Sequence, residues 1–151
     1  MRYLVDSNLL LRLPHRNDPQ YNTIRQAVRA LLVRGDELCC APQNIVEIWN
    51  VSTRPATARG GFGLTTAETD RRVRLIERAF TILDETPSVY TEWRRLVVDY
   101  SVAGVQVHDA RIVAVMNVHG ITHVLTLNSA DFARYTGITS VSPDEILSGS
   151  S

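Results

Sequence analysis

Three acidic residues stand where the surrounding sequence is apolar. Asp6 follows the strand-like letters "YLV", Glu47 lies inside "NIVEIWN", and Asp109 precedes the largely apolar "ARIVAVM". An unpaired carboxylate is costly to bury, so each of these residues forms a turn, pairs with a cation or holds a metal ion. Carboxylate oxygens suit hard cations such as Mg²⁺, so metal-dependent chemistry is open to them alongside purely structural roles.

A further polar pair follows the apolar letters "VLTL". Asn128 comes directly after them, and Asp131 follows three residues later. In open α/β sheets, residues just beyond the carboxyl ends of the strands converge on one crevice. Asp6 and this pair fit that location directly, and Glu47 and Asp109 can reach it from the starts of adjoining helices.

Each acid also has an ordinary structural explanation. Asp6 opens the turn-forming letters "DSN", and Asp109 suits a helix N-cap. Glu47 can pair with an arginine at the edge of the core, and Asp131 can supply the acidic N-terminus of a short helix. Three or four such coincidences at one crevice nevertheless favour a functional site.

The sequence predicts strands and helices in alternation. Predicted strands occupy 2–5, 37–41, 122–127 and, more weakly, 138–141. Predicted helices begin at Asp18–Pro19, at Pro42 and at Thr65 or Thr66, and two more occupy 90–104 and 109–120. Strands separated by helices pair in parallel, so we expect an α/β three-layer sandwich with a central parallel sheet. One domain, 1–147, would end in a polar tail, 148–151.

Apolar spacing assigns core faces to two of these helices. The first face comprises Ile24, Val28, Leu31 and Leu32. The second comprises Val73, Ile76, Phe80 and Leu83. The segment 53–63 has three glycines and no apolar period, which predicts a loop.

Composition places few limits on function. Of the 151 residues, 44% are hydrophobic and 21% charged, as in ordinary globular domains. The 16 basic residues, all arginine, balance 16 acidic ones, so net charge does not indicate a polyanionic partner. Neighbouring Cys39 and Cys40 would point to opposite faces of a strand, which favours free thiols in a reducing cytoplasm. No signal peptide or membrane span is evident, so we expect a cytoplasmic protein.

Taken together, these residues identify a family resemblance. The chain resembles the PIN-domain family of metal-dependent ribonucleases, in particular the VapC-type toxins of prokaryotic toxin–antitoxin pairs. The matching stretches are "LVDSNLLL" (4–11), "APQNIVEIWNV" (41–51), "VHDARIVAVMNVHGITHVLTLNSADF" (107–132) and "VSPDEI" (141–146), in the family's order. The resemblance implies a PIN-like fold, Mg²⁺ or Mn²⁺ as cofactor, an RNA substrate, a homodimer and an antitoxin that covers the crevice.

The resemblance also implies roles for the acids. Asp6, Glu47 and Asp109 match the family's first three acids, which makes them the expected metal ligands. Glu47 can alternatively orient the attacking water. The family often has aspartate where this chain has Asn128, so the fourth position is filled either by Asn128 or by Asp131.

RNA would be positioned by Asn8 and by arginines near the crevice, Arg111 first and Arg12, Arg54 and Arg59 as further candidates. The implied activity is a Mg²⁺- or Mn²⁺-dependent endoribonuclease, the toxin of a type II toxin–antitoxin system. One alternative is a catalytically weak or inert PIN-like module that binds RNA or a protein partner. The other is a phosphohydrolase of the haloacid dehalogenase kind, which requires a second aspartate where this chain has Asn8.

Overall fold

The computed structural model describes residues 1–149 and forms alternating strands and helices. The strands are β1 Arg2–Val5, β2 Glu37–Cys40, β3 Thr81–Ile82, β4 His123–Leu125 and β5 Thr139–Val141. The helices are α1 Ser7–Arg12, α2 Tyr21–Val33, α3 Pro42–Thr53, α4 Thr66–Ala79, α5 Pro87–Asp99, α6 Val107–Val118 and α7 Pro143–Ser148. Short 3-10 turns lie at Gly104–Gln106 and Ser129–Phe132.

The five strands form one sheet in the order β3-β2-β1-β4-β5, and every neighbouring pair is parallel. In the centre of the sheet, Tyr3 of β1 lies opposite Leu38 of β2 and His123 of β4. Because all strands run the same way, their carboxyl ends share one edge of the sheet. The expected α/β fold with a central parallel sheet is confirmed.

Helices cover both faces of the sheet because the strand residues are buried on both sides. Tyr3 and Val5 pack into one core cluster, with residues of α2 and α4, whereas Leu4 packs into the other, with residues of α5 and α6. Cys40 and Cys39 divide in the same way between the two clusters, and both are free thiols. The side chains therefore alternate as the sequence predicted, and the three layers follow from it.

The start of α2 differs from the prediction. The Asp18 carboxylate accepts a hydrogen bond from the Gln20 amide at 2.8 Å, which forms a turn, and the helix begins at Tyr21. Leu32, expected in the apolar face, is 49% exposed. It lies one residue beyond the buried Leu31 and is rotated by about 100° around the helix axis, away from the core.

The segment after α4 is also different from the prediction. Phe80 and Leu83 are buried as expected, but neither lies on the helix, which ends at Ala79. Phe80 is extended, β3 follows it, and the Leu83 amide donates to the Cys40 carbonyl at 2.9 Å. A two-residue strand is too short to show a period of its own, so the helical spacing was extended wrongly through it.

Several other elements differ from the prediction. Helix α5 spans Pro87–Asp99 rather than 90–104, and α6 begins at Val107 rather than at residue 109. Helices α1 and α7 were not predicted. Ser142 caps α7, and the Glu145 carboxylate accepts from the Ser142 amide at 2.7 Å in a capping box. The predicted polar tail 148–151 begins inside this helix, and residues 150–151 of it lie outside the described residues.

Candidate active site

Four carboxylates face one cleft at the carboxyl edge of the sheet. They are carried by the end of β1, by α3, by the first turn of α6 and by the turn after β4. The cleft is lined by Asp6, Ser7, Asn8, Leu11, Glu47, Asn50, Val51, Asp109 and Asp131. The structure thus brings together all four acids that the sequence singled out.

Asp6 is fixed by the sheet and by its own carboxylate. Its amide donates to the Leu125 carbonyl of β4 at 3.0 Å, one residue past the end of β1. One carboxylate oxygen accepts from the Ser7 amide at 2.8 Å and caps α1, and the other accepts from the Thr126 hydroxyl at 2.8 Å. Asp6 therefore has a structural role, although as the N-cap of α1 rather than in the expected turn, and the same residue still lines the cleft.

Burial raises the pKa of Asp6 to about 6, although the hydrogen bonds from Thr126 and Ser7 act against it. The nearby charges of Glu47 and Asp131 also raise the pKa of Asp6. For Asp109, burial again has the largest effect, and the charges of Asp131, Asp6 and Glu47 help to raise the pKa to about 7. The four acids consequently lie within electrostatic reach of one another.

Glu47 is held by neutral partners. The Ser7 hydroxyl donates to one of its carboxylate oxygens, and the Gln43 amide donates to the other at 2.9 Å. Behind Ser7, the buried Asn44 donates to the serine oxygen at 3.0 Å and accepts from the Ala41 amide at 2.8 Å. The explanation of Glu47 as the partner of an arginine is therefore wrong for the described residues.

Asp109 is not a helix N-cap. Helix α6 begins at Val107 with Gln106 as its N-cap, so Asp109 is the third helical residue. The Trp93 indole donates to the Val107 carbonyl at 2.9 Å, which ties the start of α6 to α5. This contact fixes the helical turn that points Asp109 into the cleft, and the capping explanation fails.

The two candidates for the fourth position are in contact. The Asn128 side-chain amide donates to an Asp131 carboxylate oxygen at 2.9 Å, and the Asn128 backbone amide donates to the Thr126 hydroxyl at 3.0 Å. Asp131 lines the cleft, whereas Asn128 is exposed beside it. The contact lets Asn128 orient Asp131.

Of the residues expected to position substrate, Asn8 lines the cleft and Arg111 lies beside it. The Asn8 amide is 3.5 Å from the Thr126 hydroxyl. Arg111 forms an ion pair with Glu85 and donates to the Gln43 side-chain oxygen at 3.3 Å. Arg111 therefore reaches the cleft through Gln43 and does not line it.

The remaining arginine candidates are engaged elsewhere. Arg12 donates to the Asn8 carbonyl at 2.8 Å and lies 3.4 Å from the Asp18 carboxylate. Arg54 donates to the Arg59 carbonyl at 2.8 Å, which closes the loop that follows α3. None of these three residues is part of the cleft lining.

Sequence reasoning missed the neutral residues that hold the acids. Thr126 joins Asp6, Asn8 and the Asn128 backbone, and Ser7 with Asn44 holds Glu47. Ser7, Asn44 and Thr126 lie inside the quoted stretches "DSN", "NIVEIWN" and "VLTL", but only Ser7 directly follows an acid. Nothing in the spacing of the others marks them.

The donor set fits a hard divalent cation. Carboxylate oxygens from four separate elements are available, and burial, together with the charges of the neighbouring acids, raises the pKa values of Asp6 and Asp109. Within residues 1–149, however, no three acidic, histidine or cysteine side chains stand close enough to hold one ion as they are placed.

These features define a three-layer α/β domain with a carboxylate-lined cleft at the carboxyl edge of its sheet. The family model of the PIN domain matches residues 3–138, and the chain belongs to the PIN-domain family. No curated protein sequence matches the chain significantly. Within the described residues, no helix is both long and apolar enough to cross a membrane.

Solved structures of toxin–antitoxin proteins share the fold. A chain of VapBC2 from Rickettsia felis, bound to promoter DNA, is 12% identical with a TM-score of 0.67 and covers 94% of this chain and 98% of its own. A chain of a toxin–antitoxin complex from Klebsiella pneumoniae is 20% identical with a TM-score of 0.63, and the match covers 93% of this chain and 97% of that one. VapC20 of Mycobacterium tuberculosis, a toxin that cleaves the sarcin–ricin loop, is 15% identical with a TM-score of 0.63, and the match covers 87% of this chain and 93% of that one. At these identities the likeness establishes the fold.

Proposed function

We propose that this chain is a Mg²⁺- or Mn²⁺-dependent endoribonuclease and the toxin of a type II toxin–antitoxin pair. Its membership in the PIN-domain family supports the nuclease class. The observation that carries the proposal is the convergence of Asp6, Glu47, Asp109 and Asp131 on one cleft. Four carboxylates that line one cleft repel one another, and a divalent cation bound among them would neutralise that repulsion.

In this proposal Asp6, Glu47 and Asp109 hold the ion. When bound, a divalent ion supplies an activated water and stabilises the negative charge that develops on the scissile phosphate. Ser7 fixes the orientation of the Glu47 carboxylate, which can also accept a hydrogen bond from the attacking water. Asp131, oriented by Asn128, holds a water or a second ion. Hydrogen bonds of this supporting kind keep ligands in their working orientation.

The proposal is tested with the purified chain, freed of any bound partner. Single-stranded RNA is incubated with Mg²⁺, with Mn²⁺ or with EDTA, and DNA of the same sequence serves as the comparison. We expect RNA to be cut only when the divalent ion is present. RNA that binds but stays intact under all three conditions would favour the inert binding module.

A partner can cover the cleft from an adjoining apolar groove. This groove lies between α1, α3 and α4 and is lined mainly by Leu10, Leu11, Leu13, Ile48, Leu75, Ile76 and Phe80. Leu11 lines both the groove and the cleft, so the two are continuous. We propose that an apolar segment of the antitoxin occupies the groove and that the chain continuing from it covers the acids. We also propose that residues 1–147 form a single domain, that the protein is a homodimer and that it is located in the cytoplasm.

Leu75→Glu is expected to weaken antitoxin binding about 10- to 100-fold, because a charge would be buried in an apolar interface. Leu75 is 57% exposed in the free chain, so the melting temperature and RNA cleavage should not change. Leu32→Glu is the matched control, since Leu32 is 49% exposed and lies outside the groove. Titration with the protein encoded by the neighbouring reading frame measures the affinity. Equal affinities for both variants would place the antitoxin elsewhere.

Asp131→Asn is expected to lower both metal affinity and cleavage by about 10- to 100-fold, as losses of supporting groups at metal sites do. Asn128→Ala should lower metal affinity and cleavage by a smaller factor, because it removes only the amide that orients the Asp131 carboxylate. Metal titrations of cleavage rate compare the two variants. If Asn128→Ala is the more damaging, Asn128 itself fills the fourth position. If the double variant keeps full activity, the other three acids suffice.

A further inference from the structure

A half-open pocket lies beside the acid cleft, between α5 and the start of α6. It is lined by Glu85, Thr86, Val89, Tyr90, Trp93 and Arg111 and has a volume of about 210 Å³. Pockets for drug-sized ligands usually enclose about 300–1,000 Å³. The size of this pocket therefore suits a single planar ring system.

The pocket is joined to the acid cleft by one side chain. Arg111 donates to the Gln43 side-chain oxygen at 3.3 Å, and the Gln43 amide donates to Glu47 at 2.9 Å and to the His108 carbonyl at 2.8 Å. Arg111 also follows Asp109 by two residues on the same helix. A polynucleotide with its backbone in the cleft consequently has this pocket within reach of a neighbouring nucleotide.

Two aromatic rings form one side of the pocket. Tyr90 is 64% exposed, and its ring centroid lies 6.2 Å from that of Trp93 with an angle of 35° between the planes. Trp93 is immobilised by its hydrogen bond to the Val107 carbonyl. An exposed ring supported by a fixed one gives a surface on which a nucleobase can stack.

The other side of the pocket is polar. The Glu85–Arg111 ion pair offers both an acceptor and donors at the rim. Thr86 is the N-cap of α5, yet its hydroxyl makes no capping bond; it is buried without a hydrogen-bond partner among residues 1–149. An unpaired buried hydroxyl is unfavourable, so a polar group that reached it from the pocket would gain a hydrogen bond.

We infer that this pocket binds one unstacked base of single-stranded RNA, on a nucleotide adjacent to the scissile phosphate. The inference rests on the proposed nuclease function and adds a substrate class to it. Tyr90 stacks on the base, and Glu85 and Arg111 contact its polar edge. A base in a duplex is stacked and paired, so the pocket selects loops and single strands over double helices.

The test compares three RNA oligonucleotides of one sequence: one is intact, and each of the other two has an abasic nucleotide on one side of the cut. For the wild type, loss of the base on the pocket side should lower kcat/KM about 10-fold, the size expected for one stacked base. For Tyr90→Ala, the difference in rate between the intact and abasic RNAs should be much smaller, because stacking is lost and only the contacts of Glu85 and Arg111 with the base remain. Tyr90→Phe should restore the difference, because the ring is retained.

Val98→Ala is the matched control, since Val98 lies on the same helix and is 66% exposed but does not line the pocket. An abasic penalty of equal size in the wild type and in Tyr90→Ala would overturn the inference, as would the absence of any penalty. A change from dimer to monomer in Tyr90→Ala, with the penalty unchanged, would instead assign Tyr90 to an interface between copies.

The nuclease proposal can fail separately. If the wild type cuts no RNA, fluorescence anisotropy with the same oligonucleotides measures binding alone. Tighter binding of the intact RNA than of the abasic RNA, lost in Tyr90→Ala, would support the base pocket in a non-cleaving protein. Equal binding of both RNAs by both proteins would overturn it.

Discussion

Asp6→Asn is expected to reduce RNA cleavage about 1,000-fold or more, since a bound metal ion contributes several kcal/mol to stabilising the transition state. The same change should raise the melting temperature of the metal-free protein near pH 8. Asparagine removes a buried charge that Glu47 and Asp131 repel, and its oxygen can still accept from the Ser7 amide that caps α1. Cleavage assays with Mn²⁺ and thermal melting in EDTA measure the two effects.

The control for Asp6→Asn is Asp144→Asn, in an exposed aspartate of α7 outside the cleft. It makes the same chemical change and should leave cleavage as it is. If Asp6→Asn melts well below the wild type in EDTA while still cutting RNA, Asp6 acts only as the cap of α1. A loss of both activity and stability would leave the two roles coupled, and Asp6→Ser, whose hydroxyl can still cap α1 but which has no carboxylate, then separates them.

In EDTA, the free energy of unfolding is expected to fall as the pH rises from about 4 to about 7. Folding raises the pKa of Asp6 from 3.8 to about 6 and that of Asp109 from 3.8 to about 7. Groups with raised pKa values stabilise the protein below their unfolded pKa and lose that contribution as the pH passes through the folded value. After allowance for solvent screening, the loss should be on the order of 2 kcal/mol, or about 4–8 °C in melting temperature.

Divalent metal should reverse this dependence on pH. Mg²⁺ binds the ionised carboxylates and only the folded chain, so it stabilises more as the pH rises and adds about 2.7 kcal/mol at one hundred times its Kd. Melting curves from pH 4 to 8, with Mg²⁺ and with EDTA, measure the difference. In Asp6→Asn, the free energy of unfolding in EDTA should fall less as the pH rises than it does in the wild type. Identical curves with and without the ion, for the wild type, would contradict the metal site.

Much of the fold was predictable because strands and helices buried on defined faces leave strong patterns. Buried β1 and β2, the proline at the start of α3 and the threonine that caps α4 all stand in the sequence as local signals. The failures occurred where a tertiary contact decided the structure. The two residues of β3 form a strand only because β2 lies beside them, and Leu32 differs from Leu31 only in which side of α2 faces the sheet.

The candidate acids were predictable for a different reason, because charge inside an apolar run is conspicuous. The residues that hold them were not. Thr126 donates to Asp6 from 120 positions away, and Ser7 donates to Glu47 from 40 positions away. Arg111 was expected at the substrate, but no local signal showed that Glu85, 26 residues earlier, forms an ion pair with it. Such contacts exist only once the chain has folded.

The pairing of β1 with β4 in the centre of the sheet also determines when the acid cleft can form during protein synthesis. Asp6 leaves the ribosome early, whereas its hydrogen-bond partners Leu125 and Thr126 lie in and just after β4, about 120 residues later. A nascent chain that ends before β4 has the first three acids, but β1 still lacks its neighbour on one side. Contacts between distant parts of a chain form late, since the loop between them must close first. The cleft therefore assembles only when nearly the whole protein has been made.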